Sequence, residues 1–384
     1  MKVKVRVKAK AKIEVDTKGI KSFHERNGLI MVLDWLKRAV EQGASDVFIG
    51  AGRHISFKRN GIITPQSEGH LDPTQSGVFV TELYDLACRG MDKYEATGDD
   101  DFPITVPGLS RFRVNAYRQR GTKAAVIRVV KSGIPDPNDM MIPEGVMEVA
   151  KELNGLVVIT GPAGSGKTTT LACIIDAVNK TRNCHIVTLE DPIEYLHKDK
   201  LSLISQREIM TDTDSYVLAL RASLRQAPNI ILLGEMRDHE TIRTAMTAAE
   251  TGHLVISTLH TVGAANTVDR IIDSFPEGQQ HQIRIQLSNI LRMVVTQRLL
   301  PNKSGESIPA FEIMKVNNAI SNVIRDNKTH QIDNIIQTSS QEGMVGMDAS
   351  IMKLFRSGSI TAETALANAS NYDTMQKQLK MINR

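Results

Sequence analysis

The sequence predicts an α/β chain with more than one hydrophobic core, its second half built on a parallel sheet. Three observations carry that prediction. The chain has 384 residues, whereas a single core stops growing at about 250 to 300 residues. Hydrophobic residues make up 41% and charged residues 23%, a globular composition that excludes the disordered and membrane-embedded classes. From Gly155 onward, apolar or β-branched runs at 156–160, 185–189, 230–233 and 254–259 alternate with helical text. Strands buried on both faces read this way, because a parallel sheet is covered by helices on each side.

Taken from the start, residues 1–15 set Lys2, Lys4, Arg6, Lys8, Lys10 and Lys12 against Val3, Val5, Val7, Ala9 and Ala11. That is a strand pattern with a basic face. Such a face either meets an anionic partner or protects a sheet edge from pairing with another chain. A helix is expected over 29–42, where Leu29, Val32, Leu33, Leu36 and Val40 recur at helical spacing, and Gly43 stops it. Between 45 and 130, short alternating stretches at 46–49, 54–58 and 111–117 are broken by Gly and Pro, with helical text at 81–88. This reads as a small α+β domain.

Gly133, Pro135, Pro137 and Pro143 then mark a linker. The expected division is a basic extension at 1–26, the α+β domain at 27–130, a linker at 131–145, a core at 146–300 and a helical C-terminal subdomain at 301–384. Helices at Asn318–Arg325, 349–356 and 361–369 are assigned to that last part.

The 47 basic and 43 acidic residues leave a net charge of +4, too little to imply nucleic acid. A translocase on nucleic acid would interleave stacking aromatics with basic residues, but aromatics are 4% of the chain and Trp35 is the sole tryptophan. Cys88, Cys173 and Cys184 form no C-x-x-C pair, so neither a disulfide framework nor a cysteine zinc site is indicated, and a reducing cytoplasm fits. No run approaches the ~18 apolar residues of a spanning helix, so membrane association is expected through a partner.

The strongest chemical signal is Gly161, Pro162, Ala163, Gly164, Ser165, Gly166, Lys167 and Thr168, a complete G-x-x-x-x-G-K-[ST] pattern between a predicted strand and a helix at 169–178. Glycines let backbone N–H groups converge on phosphate oxygens, and the helix N-terminus adds partial positive charge. Lys167 reaches the β- and γ-phosphates, Thr168 takes a place on Mg²⁺, and Thr169 extends the nucleotide-contacting run. The pattern therefore predicts ATP with Mg²⁺ on a P-loop ATPase core, beside the smaller α+β N-terminal domain.

Hydrolysis also needs a water to be activated. Glu235 follows the run at 230–233, and Glu190 and Asp191 follow 185–189, so both acidic sites stand where α/β folds place their ligands. His260 ends the run at 254–259, where it could bond a γ-phosphate and report its loss.

In order, these motifs resemble the secretion-superfamily ATPases, and within them the retraction ATPases of type IV pili, the twitching-motility family. The P-loop carries the resemblance, with residues 188–195 similar to the family's Asp box, 233–238 to its Walker B and 251–261 to its His box. The resemblance implies a RecA-like P-loop ATPase core with a smaller, PAS-like α+β N-terminal domain, and it implies Glu235 as general base, Glu190 as an assistant at the metal and water, and His260 as γ-phosphate sensor. It also implies that Arg113 and Arg128 reach a nucleotide from the N-terminal domain, Arg111, Arg118 and Arg120 being the competing choices.

A missing four-cysteine insertion separates the chain from assembly and secretion ATPases. The stretch 319–326 resembles the retraction motif AIRNLIRE, departing at Ser321, Val323 and Asp326. Asn229 departs too, standing where an acidic residue is common. The resemblance implies a homohexamer at the cytoplasmic face of the inner membrane, working on a pilus platform protein and alongside other pilus ATPases, with no direct nucleic-acid partner. Pilus assembly, type II secretion and a non-hydrolysing adaptor are the alternatives.

Overall fold

The computed structural model describes residues 29–130 and 133–382. The expected basic strand at 1–15 lies outside them. The chain divides into two compact units between Lys131 and Ser132. In the first, α1 (Leu29–Glu41), β1 (Asp46–Gly50), β2 (Ser56–Arg59), β3 (Ile62–Pro65), α2 (Pro73–Leu86), α3 (Asp92–Thr97), β4 (Asp99–Val106), β5 (Ser110–Gln119) and β6 (Thr122–Val129) follow in order. Their strands form one antiparallel sheet, β3-β2-β1-β6-β5-β4.

Antiparallel strands show two unlike faces. Val114, Ala116, Ala125 and Ile127 are buried against Val32, Leu36, Phe79 and Leu83 of α1 and α2, while Arg113, Arg128 and Lys58 lie on the opposite face. Gly43 has φ +65°, the left-handed turn that stops α1. The α2 helix begins eight residues before the helical text at 81–88, because Asp72 and Gln75 form a reciprocal capping box with Pro73 at the first turn.

The second unit contains α4 (Glu144–Met147), β7 (Gly155–Thr160), α5 (Lys167–Thr181), β8 (His185–Glu190), β9 (Leu203–Glu208), α6 (Tyr216–Ser223), β10 (Ile230–Leu233), α7 (His239–Glu250), β11 (Leu254–Leu259), α8 (Ala264–Asp273), α9 (Glu277–Ile290), β12 (Leu291–Pro301) and β13 (Ser307–Lys315). After these come α10 (Asn318–Arg325), α11 (Ile332–Thr338), α12 (Met347–Arg356), α13 (Ala362–Asn368) and α14 (Tyr372–Ile382).

Its sheet runs β13-β12-β7-β11-β10-β8-β9, parallel throughout except for β13. Every residue of β7, β10 and β11 is buried. Alternate side chains feed two cores. Leu156, Val158, Ile231 and Leu233 face α7 to α11, while Val157, Ile159, Ile230 and Leu232 face α4 and α5.

Two expectations about boundaries differ from what is seen. The region after 301 opens with a strand, since Ile308 to Met314 pair with β12 across a turn at 302–306. Pro309 makes the segment look unlike a strand, but β13 is an edge, where proline is tolerated. Helices α10 and α11 join the main core through Ile320, Ile324, Ile332 and Ile336, and only α12 to α14 form a separate cluster, against Leu300 and Ile308. The proline-rich stretch is packed as well. Ile134 and Ile142 enter the core of the second unit, and the Cys173 thiol donates to the Pro135 carbonyl at 3.4 Å. Among the described residues, no helix is long and apolar enough to cross a membrane.

Candidate active site

Because β7, β11, β10 and β8 are parallel, their C-terminal ends lie along one edge of the sheet. Thr160 leads into the P-loop, Leu259 into His260, Leu233 into Glu235, and Glu190 ends its own strand. A cleft of about 370 Å³ at that edge is lined by the P-loop, Glu190, Glu235 and His260 together. Arg113 and Arg128 belong to the other unit. There they are cross-strand partners on β5 and β6, and the Arg128 Nε donates to Asp46 at 3.1 Å.

The P-loop is shaped by what surrounds it. Gly161, Gly164 and Gly166 have φ of +140°, +76° and +88°. A Cβ on Gly161 would lie 2.1 Å from the Gln297 carbonyl oxygen, and one on Gly166 would lie 2.9 Å from the Gln297 amide nitrogen, so glycine is required at both. Gln297 on β12 also accepts a hydrogen bond from Thr170 at 2.8 Å. The Lys167 ammonium donates to the Gly161 and Pro162 carbonyls at 2.7 and 3.0 Å, and burial holds its pKa below the usual lysine range while Glu235 pulls it upward. Ser165 Oγ is buried with no hydrogen-bond partner among the described residues. An unpaired hydroxyl in a glycine cradle beside a lysine fits a phosphate chain. Pro162, Ala163 and Gly164 are exposed, Thr168 and Thr169 are half-buried, and the Thr169 hydroxyl lies 3.0 Å from that of Tyr195.

Glu235 is held by a guanidinium on one side and an imidazole on the other. Arg237 Nε donates to Oε2 at 2.8 Å, and His260 Nε2 stands 3.2 Å from Oε1. Lys167 Nζ lies 3.5 Å from His260 Nδ1. A neutral ring protonated on Nε2 satisfies both contacts, donating to Glu235 and turning its lone pair toward the ammonium. Arg237 also reaches Asp191 at 3.7 Å, tying the ends of β8 and β10.

Glu190 is different. Its Oε1 accepts from Thr188 at 2.6 Å and from Gln206 at 3.1 Å. Burial raises its pKa, the two hydrogen bonds oppose this, and Glu194 and Glu208 push it further upward.

Arg237, Gln297 and Gln206 were not singled out by sequence. Arg237 sits inside a recognised motif, and that was the available signal. Gln297 comes from a distant strand with no local pattern. Two of the departures have structural explanations. Asn229 accepts a hydrogen bond from the His185 N–H at 2.9 Å, at the N-terminal end of β10 and away from the cleft. Ser321 donates to the Ser288 carbonyl at 3.1 Å, so α10 is pinned to α9. Asp238 caps α7 through the Thr241 N–H.

Residues 27–377 match the model of a family described as type II/IV secretion system protein. The twitching motility protein of Neisseria gonorrhoeae is 45% identical over 283 residues, covering 73% of this chain and 76% of that protein. The type IV pilus retraction ATPase PilT of Pseudomonas aeruginosa is 40% identical over 339 residues, covering 88% and 98%. A crystal structure of the pilus retraction motor PilT with bound ADP superposes with a TM-score of 0.82 at 41% identity, covering 90% of this chain and 98% of that one.

Proposed function

Since the chain belongs to the type II/IV secretion system protein family, we propose that it is an ATPase motor that powers retraction of type IV pili. The observation that carries the reading is the single cleft joining a glycine cradle, Lys167 and a buried unpaired Ser165 hydroxyl to Glu235 and His260. The relatives described above, a PilT retraction ATPase and a PilT structure holding ADP, support the substrate and the task.

The P-loop backbone and Lys167 bind the phosphates. Thr168 would hold Mg²⁺, which would share the phosphate charge with the protein. Glu235 takes the proton of the attacking water. Arg237 keeps its carboxylate turned into the cleft, and His260, bonded to Glu235 on one side and facing Lys167 on the other, reports whether the γ-phosphate is in place. Glu190, bonded to Thr188 and Gln206, shapes the water site beside it.

Arg113 and Arg128 on the N-terminal unit supply further positive charge to a nucleotide, as fixed planar guanidinium groups suit phosphate oxygens. In this reading Arg128 exchanges Asp46 for phosphate. The working form is a homohexamer at the cytoplasmic face of the inner membrane, acting on a pilus platform protein.

Deleting the gene tests the task. Cells lacking a retraction motor remain piliated and lose surface motility, and a chain carrying Lys167→Ala does not restore it. Bald deletion cells would instead assign the chain to pilus assembly.

A further inference from the structure

The described part of the second unit holds another buried carboxylate that the cleft does not use. Glu312, on β13, is 8% exposed. Its Oε1 accepts the backbone N–H of Ala264 at 2.8 Å and faces the Thr296 hydroxyl at 3.4 Å. Thr296 in turn accepts from Thr160 at 3.1 Å. Ala264 is the first residue of α8, four residues after His260, and Thr160 is the last residue of β7 before the P-loop. One carboxylate therefore ties the start of the P-loop to the segment that carries His260.

The segment between them is short and constrained. Thr267 bonds both Thr261, at 2.8 Å, and the Gly263 carbonyl, at 2.7 Å, and Gly263 has φ +91°. With its far end fixed at Ala264, the 260–263 segment has few ways to place the imidazole other than against Glu235. The Glu312 carboxylate also lies near the backbone N–H of Met347, first in α12. The same side chain lines a groove of about 1010 Å³ with Met347, Asp333 and Gly263.

A carboxyl group placed here is costly unless its donors are worth keeping. A well-packed apolar residue at this point of β13 would leave the Ala264 N–H and the Thr296 hydroxyl without this partner, yet would avoid burying an acid. A buried acid that accepts from two separate elements is explained by the alignment it enforces. We propose that Glu312 is a positioning residue for hydrolysis, holding the His260 segment in register with the P-loop.

This rests on the cleft being an ATPase site, so steady-state hydrolysis by the full chain is measured for wild type and for Glu312→Ala, Glu312→Gln and Thr296→Val, with thermal melting and sedimentation alongside. Glu312→Ala is expected to lower kcat by up to about a hundredfold, the scale set by misplacing a reacting group by an ångström, with KM for ATP changed less than about twofold. Glu312→Gln keeps an acceptor for Ala264 and restores most of the rate. Thr296→Val, which cuts the link to Thr160 while leaving Glu312 bonded to Ala264, loses a smaller part of it.

A folded Glu312→Ala protein with wild-type kcat overturns the proposal, as does parallel loss of melting temperature, kcat and affinity without recovery in Glu312→Gln. Should Glu312→Ala fail to fold, unchanged kcat in Thr296→Val overturns it. A wild-type chain that does not hydrolyse ATP refutes the ATPase reading itself.

Discussion

Glu190 and Glu235 occupy equivalent places at the C-terminal ends of adjacent parallel strands, yet their surroundings are opposite. Glu235 has a side chain 20% exposed, with Arg237 on one oxygen and His260 on the other. Glu190 is buried, accepts only from a hydroxyl and an amide, and has its pKa pushed upward. A carboxylate fixed by a cation beside an imidazole is turned to receive a proton from water, whereas burial with neutral donors favours the protonated acid. Position on a sheet edge brings an acid to the chemistry, and its partners decide what it does there.

The sharpest way to break this contrast is Glu235→Gln. It should lower kcat by about a hundredfold or more, the usual contribution of a general base, while equilibrium binding of ATP stays within about threefold. Wild-type turnover in that variant would remove Glu235 from the role. Arg237→Gln is expected to cost less, about tenfold in kcat, because Glu235 remains but is no longer fixed. Its KM for ATP should be unchanged, and a rise in KM with constant kcat would mean that Arg237 binds substrate instead.

The smallest effect belongs to Glu190→Gln, which resembles the neutral acid in shape and keeps an acceptor for Thr188 and Gln206. A carboxyl with a raised folded-state pKa contributes stability that is complete below its ordinary value of 4.5 and is lost as pH rises through the folded pKa. The Gln variant does not titrate, so its melting temperature should gain on wild type as pH is raised above 4.5. A difference that shrinks with rising pH would show that Glu190 is held as a carboxylate, and the contrast with Glu235 would fail.

The relatively exposed and the buried parts of this site were not equally readable. The P-loop was legible because its chemistry needs one uninterrupted stretch, with glycines at left-handed turns and a lysine at the start of α5. Glu235, Glu190 and His260 were legible as polar residues that end apolar runs. Gln297 was not, since its contacts with Thr170 and beneath Gly166 are made from a strand more than a hundred residues away. Nor was β13, where Pro309 masks an edge strand, or the bond that Ser321 makes to α9. The roles given to Arg113 and Arg128 came from resemblance alone, because an exposed strand face looks the same in sequence whether it meets solvent or a ligand.

By itself, then, the amino-acid order determined the four strands β7, β8, β10 and β11, the phosphate-binding turn and the polar residue waiting at the end of each apolar run, since these follow from short-range sterics and side-chain periodicity. Tertiary structure decided who stands beside whom. Along the chain the P-loop is followed by Glu190, Glu235 and His260, but the sheet order β7-β11-β10-β8 places His260 next to the P-loop and Glu190 farthest from it. That rearrangement comes from crossover helices packing β8, β10 and β11 back against the sheet out of sequence order, a long-range choice that no local pattern encodes.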